Sequence, residues 1–221
     1  MGFLYASLPL WIAVGGWAAA AVALAIAIWR RPLNRLRNHT LQHLWLGTIV
    51  IIAVLWALDA WLQDGPVFHL LGATLMVTLF DWALAVVGMV AVIGLVAAIF
   101  GAPLDGIGLT MVVFGALPVV ASVLLQRAIV AWLPRHLMVF ILGHGFLCAA
   151  AAVLCASAAA AALHGLMHRD VFVGLPPGYA WVVLLLAAGE AWFTGMMTAI
   201  LAVYKPAWVT TYNERMYHLD R

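Results

Sequence analysis

Charge is what this chain of 221 residues has least of: only 8% of its side chains are Asp, Glu, Lys or Arg. Soluble domains carry about 25%, and the longest stretch here without an apolar run, Arg30 to Leu44, is too short to build a globular core. A water-soluble domain is therefore excluded. Cysteine is nearly absent too, and Cys148 and Cys155 lie seven residues apart in one alanine-rich run. On a straight helix that spacing separates them by about 10 Å of rise, too far for a disulfide. They read as small packing residues. No cationic segment precedes the first apolar stretch and no cleavage-site pattern follows it, so residues 3–29 read as a membrane span and not as a signal peptide. A glycine-rich phosphate loop and a nucleophile elbow are both missing, which leaves any ATP use to a partner. His39 and His43 have the four-residue spacing of a zinc peptidase helix, but Thr40 stands where the general-base glutamate belongs. The net charge of +2 offers nothing to nucleic acid.

What fills the chain instead is hydrocarbon. Hydrophobic residues make up 67% of it, and the mean hydropathy is +1.13. A membrane-crossing helix needs about 20 apolar residues, and runs of that kind predict helices near 3–29, 41–62, 66–80, 82–100, 109–126, 136–163 and 178–204. Strands are excluded because the runs do not alternate and open sheet edges cannot face lipid. The expectation is an all-α, polytopic transmembrane bundle of about seven spans. It forms a single domain, 1–221, with a short C-terminal tail, 205–221. Arginine placement sets the orientation. Arg30, Arg31, Arg35 and Arg37 follow the first span, Arg127 and Arg135 the fifth, and Lys205, Arg215 and Arg221 the seventh. With the N-terminus outside and the C-terminus cytoplasmic, nine of the ten basic residues fall inside, leaving Arg169 outside. Such a chain belongs in a bacterial inner membrane. Trp29, Trp132, Tyr204 and other span-end aromatics suit interfacial belts.

Polar residues within apolar spans are costly and mark function by default. Glu190 lies about 18 Å into the last helix by rise, near mid-membrane, and His144 at comparable depth is a possible partner for it. The outer ends of the spans hold Asp59, Asp64, His69, Asp105, His164 and His168. His69 is the sharpest, entering the short third span just after Asp64-Gly65-Pro66. Neutral imidazole ligates nickel, cobalt and copper, but a lone histidine can equally be a satisfied interfacial residue. The pair His164 and His168 has helical metal-ligand spacing, or is merely solvated. Ala19, Ala23 and Ala27 make a small-residue stripe on the first span, suited to packing within the bundle or to docking another membrane subunit.

Three segments resemble a known family. The block "FHLLGATLMVTLFDWALAVVGMVAVIGLVAAIFGAPLDGIGLTMV" (68–112) resembles the heart of the CbiM/NikM family, the membrane substrate-binding subunits of energy-coupling-factor transporters for cobalt and nickel. "GEAWFTGMMTAILAVYKPAWV" (189–209) is similar to that family's last helix, and "GFLYASLPLWI" (2–12) to a shortened form of its N-terminal region. The resemblance implies a metal site open to the outside, with nickel or cobalt as transported substrate and no tightly bound cofactor. It further implies docking on a transmembrane coupling subunit driven by two ATPases. His69 falls on the family's metal-binding histidine, Gly189 and Glu190 on its final-helix motif, and Ala19, Ala23 and Ala27 on its docking stripe. The family's N-terminal Met-His reads Met1-Gly2 here, so Gly2 would supply backbone nitrogen without an imidazole. Phe114 lies in the stretch "GIGLTMVVFG" (106–115), where the family has an asparagine. Asp64, Asp105, His164 and His168 are the candidates to replace the missing donor.

The expected function is substrate capture, without enzymatic activity, in an energy-coupling-factor transporter for a transition-metal ion. A different class, a non-transporting membrane assembly protein that keeps the fold without the site, is the alternative. An intramembrane enzyme would need the Glu190–His144 pair.

Overall fold

The computed structural model describes residues 3–4, 8–58, 69–168 and 178–212. Among these there is no strand, in keeping with the expected all-α class. The helices are α1 (Leu10–Trp29), α2 (His39–Ala57), α3 (Ala73–Phe80), α4 (Trp82–Phe100), α5 (Leu104–Thr110), α6 (Leu117–Trp132), α7 (Leu137–Val139), α8 (Cys148–His168) and α9 (Tyr179–Tyr204). The π-helical turn Met111–Ala116 joins α5 to α6, and a second, Phe140–Leu147, joins α7 to α8. Six helical stretches are therefore long and apolar enough to cross a membrane: α1, α2, α4, α5–α6, α7–α8 and α9. Cys148 is buried, Cys155 is exposed, and both are free thiols. Trp29, Trp132 and Tyr204 are exposed at their helix ends, as interfacial anchors require.

The expected third span, 66–80, is corrected by the structure. Its helix covers only the eight residues Ala73–Phe80, about 12 Å of rise, and all eight are buried. Two features of the sequence stop it. Gly72, the N-cap, has φ +70°, and a Cβ there would collide with Ile52. At the other end Asp81 turns the chain with φ 73° and ψ 163°, a region costly for any residue with a side chain.

A short helix buried in an apolar bundle exposes orphan N–H and C=O groups at both ends, each costing several kcal/mol if left unpaired in lipid. Remote groups satisfy them. At the C-terminal end, Thr211 donates its hydroxyl to the Thr78 carbonyl at 2.7 Å and the Thr210 amide donates to Leu79 at 3.2 Å. The Arg35 guanidinium donates to Phe80 at 3.4 Å, which places this end of α3 beside the α1–α2 connection. Along its length α3 is tied to α6 by Thr74–Ser122 hydroxyls at 2.7 Å and by Gln126 donating to Thr78 Oγ1 at 3.1 Å.

Helix α1 approaches α5 backbone to backbone. A Cβ on Gly108 would lie 2.6 Å from the Trp17 amide nitrogen, and one on Gly16 2.7 Å from that of Leu109. The Trp17 indole donates to the Leu104 carbonyl at 3.0 Å across the same seam. The expected small-residue stripe divides between two faces: Ala27 is buried in the bundle, Ala23 is half-buried and Ala19 is exposed. The inward face of α1 is carried by Ile12, Ala13, Gly16, Ala20 and Ala27.

Candidate metal site

The segment leading into α3 carries the candidate ligand. His69 is buried, and its ring lies on the Trp56 indole with centroids 3.8 Å apart and edge-on to Phe114 at 6.4 Å. Phe3 packs against Phe114 at 6.3 Å, and a Cβ on Gly106 would collide with the Phe3 carbonyl, so residue 3 is seated in the bundle next to this aromatic wall. His69 Nδ1 lies 3.3 Å from the Leu70 carbonyl. Its other nitrogen, Nε2, is buried with no hydrogen-bond partner among the described residues. A buried polar atom without a partner costs about 1–3 kcal/mol, and an unpaired imidazole nitrogen beside an ordered ring is the form in which histidine ligates a transition metal.

Glu190, 1% exposed, holds this segment in place. Its Oε2 accepts from the Leu71 amide at 2.8 Å and its Oε1 from the Gly72 amide at 2.7 Å. Gly72 is the N-cap of α3 and Leu71 precedes it, so one carboxylate ties down the backbone entering the helix, where no side-chain cap is made. The Trp56 indole donates to the Leu71 carbonyl at 3.2 Å, fixing the same peptide from the other side. The two residues therefore fix the backbone immediately after His69 and, through the Trp56 face, its ring plane as well.

Only some of the remaining sequence candidates fall within the described residues. Gly2 and Asp64 lie outside the described residues, as does Asp59. Asp105 is exposed in the first turn of α5. His164 and His168 are in α8 and not in a loop, four residues apart on the helix, and the His168 side chain lies outside the description. Among the described residues no three His, Cys, Asp or Glu side chains converge as a ligand set. The suggested Glu190–His144 pair does not form. Both carboxylate oxygens of Glu190 are engaged by backbone amides, and His144 lines a separate cavity with Arg127 and Arg135, both its ring nitrogens unpartnered among the described residues.

Sequence reasoning missed Trp56, and it registered Phe114 only as the residue standing in an asparagine's stretch. Both lie in apolar runs indistinguishable from lipid-facing sequence. The one available signal was irregularity: Phe114 sits in a π-helical turn, a feature frequent at functional sites, but π-turns have no sequence signature that hydropathy reveals.

Residues 5–208 match the family described as "Cobalt uptake substrate-specific transmembrane region". No curated protein and no solved structure matches the chain. The family match spans nearly all of the described bundle, including His69, the α3 segment and Glu190. With its six apolar helices and the buried histidine held beside a carboxylate-clamped half-helix, the chain belongs to this cobalt-uptake family of membrane transport components.

Proposed function

We propose that the chain is the substrate-capture subunit of an energy-coupling-factor transporter that takes up a transition-metal ion of the cobalt or nickel type. The observation carrying this reading is the buried Nε2 of His69, without a partner among the described residues and fixed by Trp56 and by the Glu190-braced backbone, in a chain of the cobalt-uptake family. His69 is the first ligand, and backbone nitrogen from Gly2 is proposed as a second. Asp64, Asp105, His164 and His168 are the side-chain candidates for a further donor.

In this reading the whole chain is one membrane domain of a bacterial inner membrane. The α3 half-helix belongs to a seventh crossing, the N-terminus faces outside, and the tail 205–221 is cytoplasmic. The outer face of α1, where Ala19 is exposed and Ala23 half-buried, docks the transmembrane coupling subunit, and the ATPases drive reorientation. Ala27 is buried and takes no part in docking.

Isothermal titration of the purified protein with nickel, cobalt, copper and zinc tests the capture step. Binding of at least one metal, lost in His69→Ala, is the expected result. No heat with any metal removes the substrate assignment, and unchanged binding in the variant removes His69 from the site.

One observation favours a second reading, a membrane assembly protein that keeps the fold without the site: no three-ligand cluster forms among the described residues. Affinity purification separates the two. A capture subunit brings down a coupling membrane protein with ATPases, whereas an assembly protein does not.

A further inference from the structure

At the arginine-rich end of the bundle, far along α3 from His69, two cavities adjoin. The first, about 470 Å³, has Asp81, Gln126, Arg127, Arg135, His144 and Thr211 among otherwise apolar lining residues. The second, about 300 Å³, is apolar, running between α1, α4 and α6 over Ile26, Val86, Val120 and Leu124. Trp82, Val123 and Arg127 line both, so they form one continuous site with a charged head and a hydrocarbon groove.

The charge balance of the head is positive. Asp81 is its one acid among the described residues, and it is already committed: Oδ1 accepts from the Trp82 amide at 2.7 Å, and Oδ2 lies 3.8 Å from the Arg35 guanidinium. Neither Arg127 nor Arg135 has an ion-pair partner among the described residues. Deeper in, His144 is 3% exposed and neither ring nitrogen has a hydrogen-bond partner among the described residues. A buried imidazole lining a cavity with two guanidiniums that no described acid pairs calls for an anionic ligand that also accepts and donates hydrogen bonds. The groove constrains the ligand further. Ile26, Val120 and Leu124 are exposed on the bundle's outer, membrane-facing surface, where a soluble anion gains nothing and an acyl chain packs.

We propose that this paired cavity binds one anionic phospholipid. Its phosphate sits between Arg127 and Arg135, its polar headgroup reaches toward His144, and an acyl chain lies in the α1–α4–α6 groove. Basic pockets between transmembrane helices at the membrane surface recognise anionic headgroups on these terms. The site ties α1 to α6 through a lipid where the protein leaves a crevice.

Delipidated protein in a neutral detergent is titrated with phosphatidylglycerol, with phosphatidylcholine of the same acyl chains, and with inorganic phosphate. Bound lipid is read by native mass spectrometry and thermal stability by intrinsic fluorescence. Phosphatidylglycerol is expected to bind at least tenfold more tightly than phosphatidylcholine, and phosphate alone to give no stabilisation. Each arginine contributes about fivefold, so the double variant Arg127→Gln/Arg135→Gln loses about 25-fold and with it the headgroup preference. Val120→Trp fills the groove without touching a charge and is expected to weaken phosphatidylglycerol binding while the protein stays folded. The proposal is overturned by equal affinity for the two lipids, by phosphate alone reproducing the stabilisation, or by a headgroup preference that survives the double arginine variant.

Discussion

Replacing Glu190 tests the architecture of the site most directly, because the structure assigns its carboxylate a countable task. Two backbone donors, Leu71 and Gly72, end on its two oxygens at 2.8 and 2.7 Å, with no water-facing alternative. In Glu190→Gln one oxygen survives and an amide NH2 opposes the second donor. Leaving one buried donor unpaired costs about 1–3 kcal/mol. In Glu190→Ala both donors are orphaned, for about 2–6 kcal/mol, and the vacated volume adds a cavity cost. The damage is local at first: the α3 lead loosens, and with it the frame that orients His69. Thermal unfolding followed by tryptophan fluorescence should rank the proteins wild type above Gln above Ala. For a chain of this length each kcal/mol moves Tm by about 2–4 °C. Hydrogen exchange supplies the second readout, since the Leu71 and Gly72 amides should lose protection in both variants before the rest of the bundle does. If Glu190→Gln melts with the wild type and both amides stay protected, the carboxylate is not the clamp described here.

Three further outcomes follow from the geometry. His69→Ala should abolish metal binding while leaving the melting temperature within a few degrees, because Nε2 holds no partner among the described residues and what is lost is the 3.3 Å Nδ1–Leu70 contact and ring packing on Trp56 and Phe114; a collapse of the fold would mean that His69 is structural. Gly108→Ala should destabilise by about 1–3 kcal/mol through overpacking against the α1 backbone, whereas Gly94→Ala, with nothing within 4 Å of its new methyl, should be neutral or stabilising; equal effects in thermal melts would refute the α1–α5 seam. Breaking the half-exposed Arg35–Asp81 pair with Asp81→Asn should cost no more than about 1 kcal/mol, and the difference from wild type should shrink as salt rises; a larger, salt-independent loss would show that the carboxylate matters through the α4 cap instead.

The length and spacing of apolar runs were enough to read the all-α class and the long helices. The limits of α4 and α9 are almost those that hydropathy predicts, because in lipid a helix is the only way for such a run to satisfy its own backbone. His69 and Glu190 were legible as well, since an ionisable group in an apolar run is rare enough to stand out against the background. Hydropathy alone failed where the backbone is not a regular helix. The run 66–80 has the composition of a span, yet a left-handed Gly72 and the turn at Asp81 confine its helix to eight residues. Nothing local says that the missing caps come from Glu190, 118 residues beyond Gly72, or from Thr211.

Composition therefore determined the solvent of this protein and the kind of element that can live in it. The tertiary structure decided what the scarce polar groups do there. It spent Glu190 on two backbone amides rather than on His144, left the His69 nitrogen open, and turned Ala27 inward while Ala19 faces out. The physical reason is that transfer into lipid is additive along a chain and can be read residue by residue. A hydrogen bond instead depends on which distant atoms the fold brings within 3 Å, and a sequence carries no local record of that.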